Sequence, residues 1–200
     1  KGLTDVKEVS AGGSHALALK EDGTVVAWGN DAEGQATVPI GLSDVVAVAA
    51  GKAHSLALKA DSTIVSWGSN IRGQLEFPGQ FNSPSKQGIL AQFNASSVVS
   101  IAAGFNHNLA LDSDGNVIAW GDNTFSQATV PELLSGVEDI AAGGRHNIAL
   151  FESAAAESII LNGSGGIAGQ DIQHSNGNIF DQVLLTGEFI QLQAKPGQIT

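Results

Sequence analysis

The chain has 200 residues, 42% of them hydrophobic and only 14% charged, which supplies a packed core and excludes a disordered chain. A net charge of −11 excludes a broad basic surface for nucleic acid, because neutralising phosphates takes clustered Lys and Arg. Cysteine is absent, so there is no disulfide framework, and no apolar run reaches the roughly 20 residues a membrane-spanning helix needs.

Along the chain, one phrase recurs. It reads "AGGSHALAL" from Ala11, "AGKAHSLAL" from Ala50, "AGFNHNLAL" from Ala103 and "AGGRHNIAL" from Ala142. The first and last steps are 39 residues, and the middle step of 53 is 39 plus an insertion of 14. A second phrase keeps the same beat: "VVAWGNDAEGQATVP", "IVSWGSNIRGQLEFP" and "VIAWGDNTFSQATVP". A period near 40 fits helical arrays or propeller blades, and short β-rich or alternating runs decide for strands.

Each repeat therefore predicts a first strand ending at the AG pair, a second from the histidine, and a third ending at Trp-Gly. Between the last two lie "KEDGT", "KADST" and "DSDGN", where Asp-Gly signals a hairpin. Ser62 replaces that glycine in the second copy, predicting a strained turn or one of another type. "QATVP" is a candidate fourth, edge strand. The repeats run about 6–44, 45–97, 98–136 and, degenerate, 137–163, so 1–163 is the repeat region. In the fourth, "SIILNG" (158–163) is placed as the third strand, with Asn162 where tryptophan would stand. Residues 164–200 read as a linker and a β-rich tail with strands in "IFDQVLLTG" and "EFIQLQAK". The insertion, about 79–92, reads as a surface loop or a second contact site. The fold class is all-β: a partial propeller of three to four antiparallel blades plus that tail.

The motifs AGxxHxLAL, DGxVxAWG and NxxGQxxVP resemble the repeats of the regulator of chromosome condensation family, over about residues 6–150. The lean repeat is most similar to bacterial members, which include an inhibitor of β-lactamase. The resemblance implies a seven-bladed ring, completed by sequence outside this chain or by a second chain. The missing methionine and a start inside a repeat read as a segment of a longer protein. An exported, extracellular or cell-surface bacterial protein is the expectation.

His15, His54, His107 and His146 invite a metal or catalytic reading. However, equivalent places in different blades are spread apart, whereas zinc needs several donors at about 2 Å. Each is read as a brace from its strand to a neighbouring loop or blade. Trp28, Trp67 and Trp120 are read as blade-to-blade packing, and Gln35, Gln74 and Gln127 as hydrogen-bonding within the blade. "DSDGN" lacks the downstream Glu of a calcium loop. Asn94 and Asn162 head glycosylation-type tripeptides. His174 and Asp171 in the tail form no mechanism. No catalytic constellation, cofactor or metal site is expected.

Function is then sought where the copies differ. In an antiparallel meander the AGxxH turn and the loop after Trp-Gly share one face. The variable residues there include Lys52, Ile71, Arg72, Phe105, Asn106, Thr124, Phe125 and Arg145, several of them types enriched in interface hot spots. The expected function is a non-enzymatic protein-binding module. The resemblance implies two alternatives: inhibition of a secreted hydrolase such as a β-lactamase, and nucleotide exchange on a small GTPase. Inhibitor-like members carry aromatic residues in these loops, and here only Phe105 and Phe125 match.

Overall fold

The computed structural model describes residues 3–78, 94–131, 134–151, 158–162, 182–186 and 189–193. The first repeat forms β1 (Val6–Ala11), β2 (His15–Lys20) and β3 (Val25–Gly29). The second forms β4 (Val45–Ala50), β5 (His54–Lys59) and β6 (Ile64–Gly68), and the third β7 (Val98–Ala103), β8 (His107–Asp112) and β9 (Val117–Gly121). Each is a three-stranded antiparallel sheet in chain order. The "TVP" segment adds no fourth strand to these sheets. The fourth repeat forms β10 (Val137–Ala142), β11 (Asn147–Phe151) and β12 (Ser158–Asn162). Its sheet continues through β14 (Phe189–Gln193) to β13 (Gln182–Thr186). Asn162 pairs with Asn147, as Trp67 pairs with Ser55 and Trp120 with Asn108.

Local chemistry explains the repetition. The first strand of every sheet carries a β-bulge just past its opening valine, at Val6, Val45, Val98 and Val137. Such bulges increase local twist. The hairpin between second and third strands places Gly23 and Gly115 at φ 76° and 78°. Ser62 holds the same left-handed conformation at φ 66°, so the turn type is kept and the serine carries the strain. Its hydroxyl donates to the Val98 carbonyl at 3.2 Å, tying the turn to the next sheet.

Successive sheets pack through their first strands, β1 on β4, β4 on β7 and β7 on β10. Three apolar clusters fill the joints. Leu17, Leu19, Val45, Val48 and Trp67 close the first, and Leu56, Ile64, Phe77, Ile101 and Trp120 the second. Leu109, Leu111, Val137 and Ile140 close the third. Burial of each such side chain stabilises by about 1.5–3 kcal/mol. This is a partial propeller, its stability spread over nearest-neighbour contacts between sheets. Trp28 is the exception among the indoles. No described element packs on its face, and it is 48% exposed, against 6% for Trp67 and 1% for Trp120.

Candidate functional site: the AGxxH face

Three of the four repeated histidines, His15, His54 and His107, sit one per joint. His15 Nε2 lies 2.9 Å from Ser55 Oγ, His54 Nε2 2.6 Å from Asn108 Oδ1, and His107 Nε2 2.7 Å from Asn147 Oδ1. Each partner is the residue just after the next sheet's histidine, and each donates onward to a backbone carbonyl of the histidine's own sheet. Ser55 Oγ donates to Gln35 O at 2.8 Å, Asn108 Nδ2 to Gln74 O at 2.7 Å and Asn147 Nδ2 to Gln127 O at 2.6 Å. Because the hydroxyl is committed as donor and an amide oxygen only accepts, Nε2 must carry the proton in all three rings. The indoles of Trp67 and Trp120 donate to the same Gln35 and Gln74 carbonyls, at 2.9 and 3.1 Å.

The glycine of AGxxH belongs to the same device. A Cβ on Gly51 would collide with the His54 ring, and one on Gly104 with the His107 ring. Burial pushes the His54 imidazole down to about 4, opposed by the Asn108 hydrogen bond and reinforced by the neighbouring His15 and His107. Burial also lowers His15 and His107. The four rings do not converge, and among the described residues no group of three His, Asp or Glu could hold a metal ion.

The turns and the longer loops lie together on one face. The amide after each Trp-Gly donates into the AGxxH turn: Asn30 N to Ser14 O at 2.8 Å, Ser69 N to Ala53 O at 2.9 Å and Asp122 N to Asn106 O at 2.8 Å. Adjacent turns also bond to one another around the axis, Gly13 N to Gly51 O at 3.1 Å, Lys52 N to Phe105 O at 3.1 Å and Phe105 N to Gly144 O at 3.2 Å. The four turns surround a central opening of about 230 Å³.

Each buried glutamine fixes the loop that carries the variable pair. Gln35 Oε1 accepts from Glu33 N at 2.9 Å, Gln74 Oε1 from Arg72 N at 2.7 Å and Gln127 Oε1 from Phe125 N at 2.7 Å. The glutamine thus works in both directions. Its side chain orders its own loop and its carbonyl receives the next sheet.

On this frame Ile71 is 76% exposed and Phe105 49%. The Arg145 guanidinium lies 4.4 Å from the Phe125 ring centroid, and Lys52 Nζ 6.0 Å from that of Phe105. Arg72 from the second loop faces Asp122 of the third. Burial works to raise the Asp122 carboxyl, but hydrogen bonds from Thr124 and the Arg72 charge hold it below the usual carboxylate range. Lys52, Arg72, Thr124 and Arg145 are exposed, and Asn106 is half-buried. Both arginines of the chain stand on this face.

Residues 6–35, 45–74 and 98–127 match the family model described as the regulator of chromosome condensation (RCC1) repeat. The first three repeats of this chain are RCC1 repeats. Protein pim1 of Schizosaccharomyces pombe is 28% identical over 176 residues, covering 80% of this chain and 27% of pim1. The probable E3 ubiquitin-protein ligase HERC6 of Homo sapiens is 34% identical over 156 residues, covering 71% of this chain and 11% of HERC6. Among solved structures, Prp20p of Saccharomyces cerevisiae superposes with a TM-score of 0.69 at 21% identity. That superposition covers 98% of this chain and 58% of Prp20p. The chain thus spans about a quarter of pim1 and a tenth of HERC6.

Within these RCC1 repeats, sequence reasoning found the rings and the indoles but missed their receivers. Ser55, Asn108 and Asn147 are polar residues set in apolar strands, and that is the signal that marks them. The first repeat has Ala16 at the same position, so its leading edge carries no such receiver. The insertion at about 79–92 lies outside the described residues.

Proposed function

We propose that this RCC1-repeat chain is a non-enzymatic protein-interaction module that captures its partner on the AGxxH face. The observation that carries the reading is the division of labour in each repeat. An unchanging buried glutamine holds a changing pair outward, at Ala32-Glu33, Ile71-Arg72 and Thr124-Phe125, all exposed except the half-buried Phe125. Scaffold constancy beneath loop variation is how binding surfaces are commonly built. Exposed Phe105 and Ile71, flanked by Arg72 and Arg145, supply apolar and guanidinium anchors of the kind that dominate interface energetics. Relatives support a partner-binding or regulatory role. Prp20p has been characterised for binding to Gsp1p and histones, and its complex with Kap60 has been solved.

The test uses a photo-crosslinking residue placed at Ile71, or at Glu21 in the hairpin on the opposite face. Capture from Ile71 alone, lost when Phe105, Arg72 and Phe125 are replaced together by alanine, is the expected outcome. Equal capture from both faces, or capture unaffected by the triple replacement in a folded protein, refutes the assignment.

A further inference from the structure

Charge is distributed unevenly between the two faces of this acidic chain. The AGxxH turns around the central opening carry Lys52 and Arg145 and no carboxylate. The hairpins of the opposite face carry Glu21, Asp22, Asp61 and Asp114, all exposed. Asp5 and Asp44 lie beside them, their carbonyls accepting from Glu21 N at 2.8 Å and Ala60 N at 2.9 Å. The lysines there are already paired, Lys20 with Asp22 at 3.0 Å and Lys59 with Asp61 at 3.4 Å.

On the AGxxH face, cations and rings form a row across the second, third and fourth repeats. Lys52 Nζ sits 6.0 Å from the Phe105 ring centroid. That ring reaches over Gly144 of the fourth turn, where an added Cβ would meet it at 3.2 Å. Beside Gly144, the Arg145 guanidinium lies over the Phe125 ring at 4.4 Å. Arg72 of the second loop approaches the third, where its charge acts on Asp122. Among the described residues, none of these three cations forms a salt bridge. The carboxylates of this face sit on the outer loops, and most are engaged there. Asp31 accepts from Ala36 N and Thr37 Oγ1 at 2.7 and 2.6 Å, and Asp122 from Thr124 N and Oγ1 at 3.1 and 2.6 Å. Glu76 accepts from Asn70 Nδ2 at 3.4 Å, and Glu33 belongs to the first loop, outside the row. Attraction to a ring face leaves the in-plane N–H donors of a guanidinium free to grip a carboxylate with two parallel hydrogen bonds.

Given that the AGxxH face is the interaction surface, we propose that its partner docks there as an extended acidic segment. Its carboxylates are held by Lys52, Arg72 and Arg145, and its apolar side chains lie on Ile71 and Phe105. Nucleic acid is the poorer fit, because three cations on a chain of net charge −11 neutralise too few phosphates. The hairpin face, rich in carboxylates, repels such a segment and so fixes which side it meets.

The full chain, labelled with nitrogen-15, is titrated by NMR with a short peptide of repeated Glu-Glu-Leu. Resonances of Ile71, Arg72, Phe105 and Arg145 shift saturably, while those of Lys20, Lys59 and the hairpins stay in place. The matching Gln-Gln-Leu peptide binds about tenfold more weakly or worse, and so does the acidic peptide to the double variant Arg72→Gln, Arg145→Gln. Lys20→Gln together with Lys59→Gln, which removes two cations from the other face, leaves the affinity unchanged. No saturable shifts with the acidic peptide, equal affinity for the glutamine peptide, or undiminished binding to the folded double arginine variant overturns the proposal. Tighter binding of a thymidine oligonucleotide of equal charge, or shifts confined to the hairpins, overturns it as well. Crosslinking from Ile71 reports on the face itself, so partner capture there alongside any of these results removes the acidic segment and keeps the surface.

Discussion

Acidification should loosen the sheet joints before it touches the carboxylates, and His54 sets the size of the effect. Its ring is fully buried, donates through Nε2 to Asn108, and has no hydrogen-bond partner at Nδ1 among the described residues. A proton arriving at Nδ1 finds no acceptor. The folded imidazole therefore titrates at about 4, against 6.5 for the free side chain. Above 6.5 the ring is neutral in both folded and unfolded chains and the joint has its full stability. Below 6.5 the unfolded chain takes up the proton first, so stability falls until the folded ring also titrates. The gap between the two values is worth about 3 kcal/mol from this residue alone. His15 and His107 act with the same sign. In His54→Gln the amide can still donate to Asn108 but does not titrate. Urea unfolding measured from pH 7.5 to 4.5 in both proteins isolates the term, because the carboxylate contributions cancel in the difference. The wild type should lose about 2–3 kcal/mol more than the variant across that range, since the folded ring already begins to titrate by pH 4.5. Parallel pH profiles, or a His54 ring that titrates near 6.5 by NMR in the folded protein, would refute the reasoning.

Three further outcomes follow from the same contacts. Gly51→Ala drives a methyl into the His54 ring and within 2.7 Å of the Gly104 carbonyl, so it should cost about 2–4 kcal/mol in chemical unfolding. Trp67→Ala and Trp120→Ala should each cost about 3–5 kcal/mol, whereas half-exposed Trp28→Ala should stay within about 0.5 kcal/mol. Asn108→Leu strands the buried His54 donor and leaves the Gln74 carbonyl with only the Trp120 indole. Thermal unfolding should show a loss of about 1–3 kcal/mol, while the neighbouring Ser55→Ala, which touches a different ring, should add to it nearly independently.

The fold could be read from the chain because one physical solution is spelled several times. Alternation, the Asp-Gly hairpins and the fixed beat of Trp-Gly each pointed to the same three-stranded unit. Parity alone placed the AGxxH turns and the Trp-Gly loops on one side, and the amide bonds from Asn30, Ser69 and Asp122 run between them as that requires. What could not be read were partners distant in sequence. The receiver of each ring is about 40 or 54 residues away, and a serine or asparagine inside an apolar strand gives no hint of which sheet it serves. Of the two outcomes expected at Ser62, strain or another turn type, the structure has the first: the serine keeps the glycine geometry at φ 66°, and its hydroxyl bonds to the Val98 carbonyl. The pairing of Arg145 with Phe125 likewise depends on how loops from two sheets are juxtaposed, which no local pattern encodes.

The brace between sheets has a giver and a receiver. One edge offers an imidazole and a glutamine carbonyl, and the other offers a hydroxyl or amide together with an indole. Two like edges brought together about a twofold axis would set ring against ring or amide against amide, and neither pair completes the circuit. Contacts of this kind are heterologous, so anything that joins these edges must do so head to tail. Ala16 sharpens the rule. The edge that carries Trp28 can donate an indole proton to an incoming carbonyl, but it offers an incoming imidazole nothing to hold.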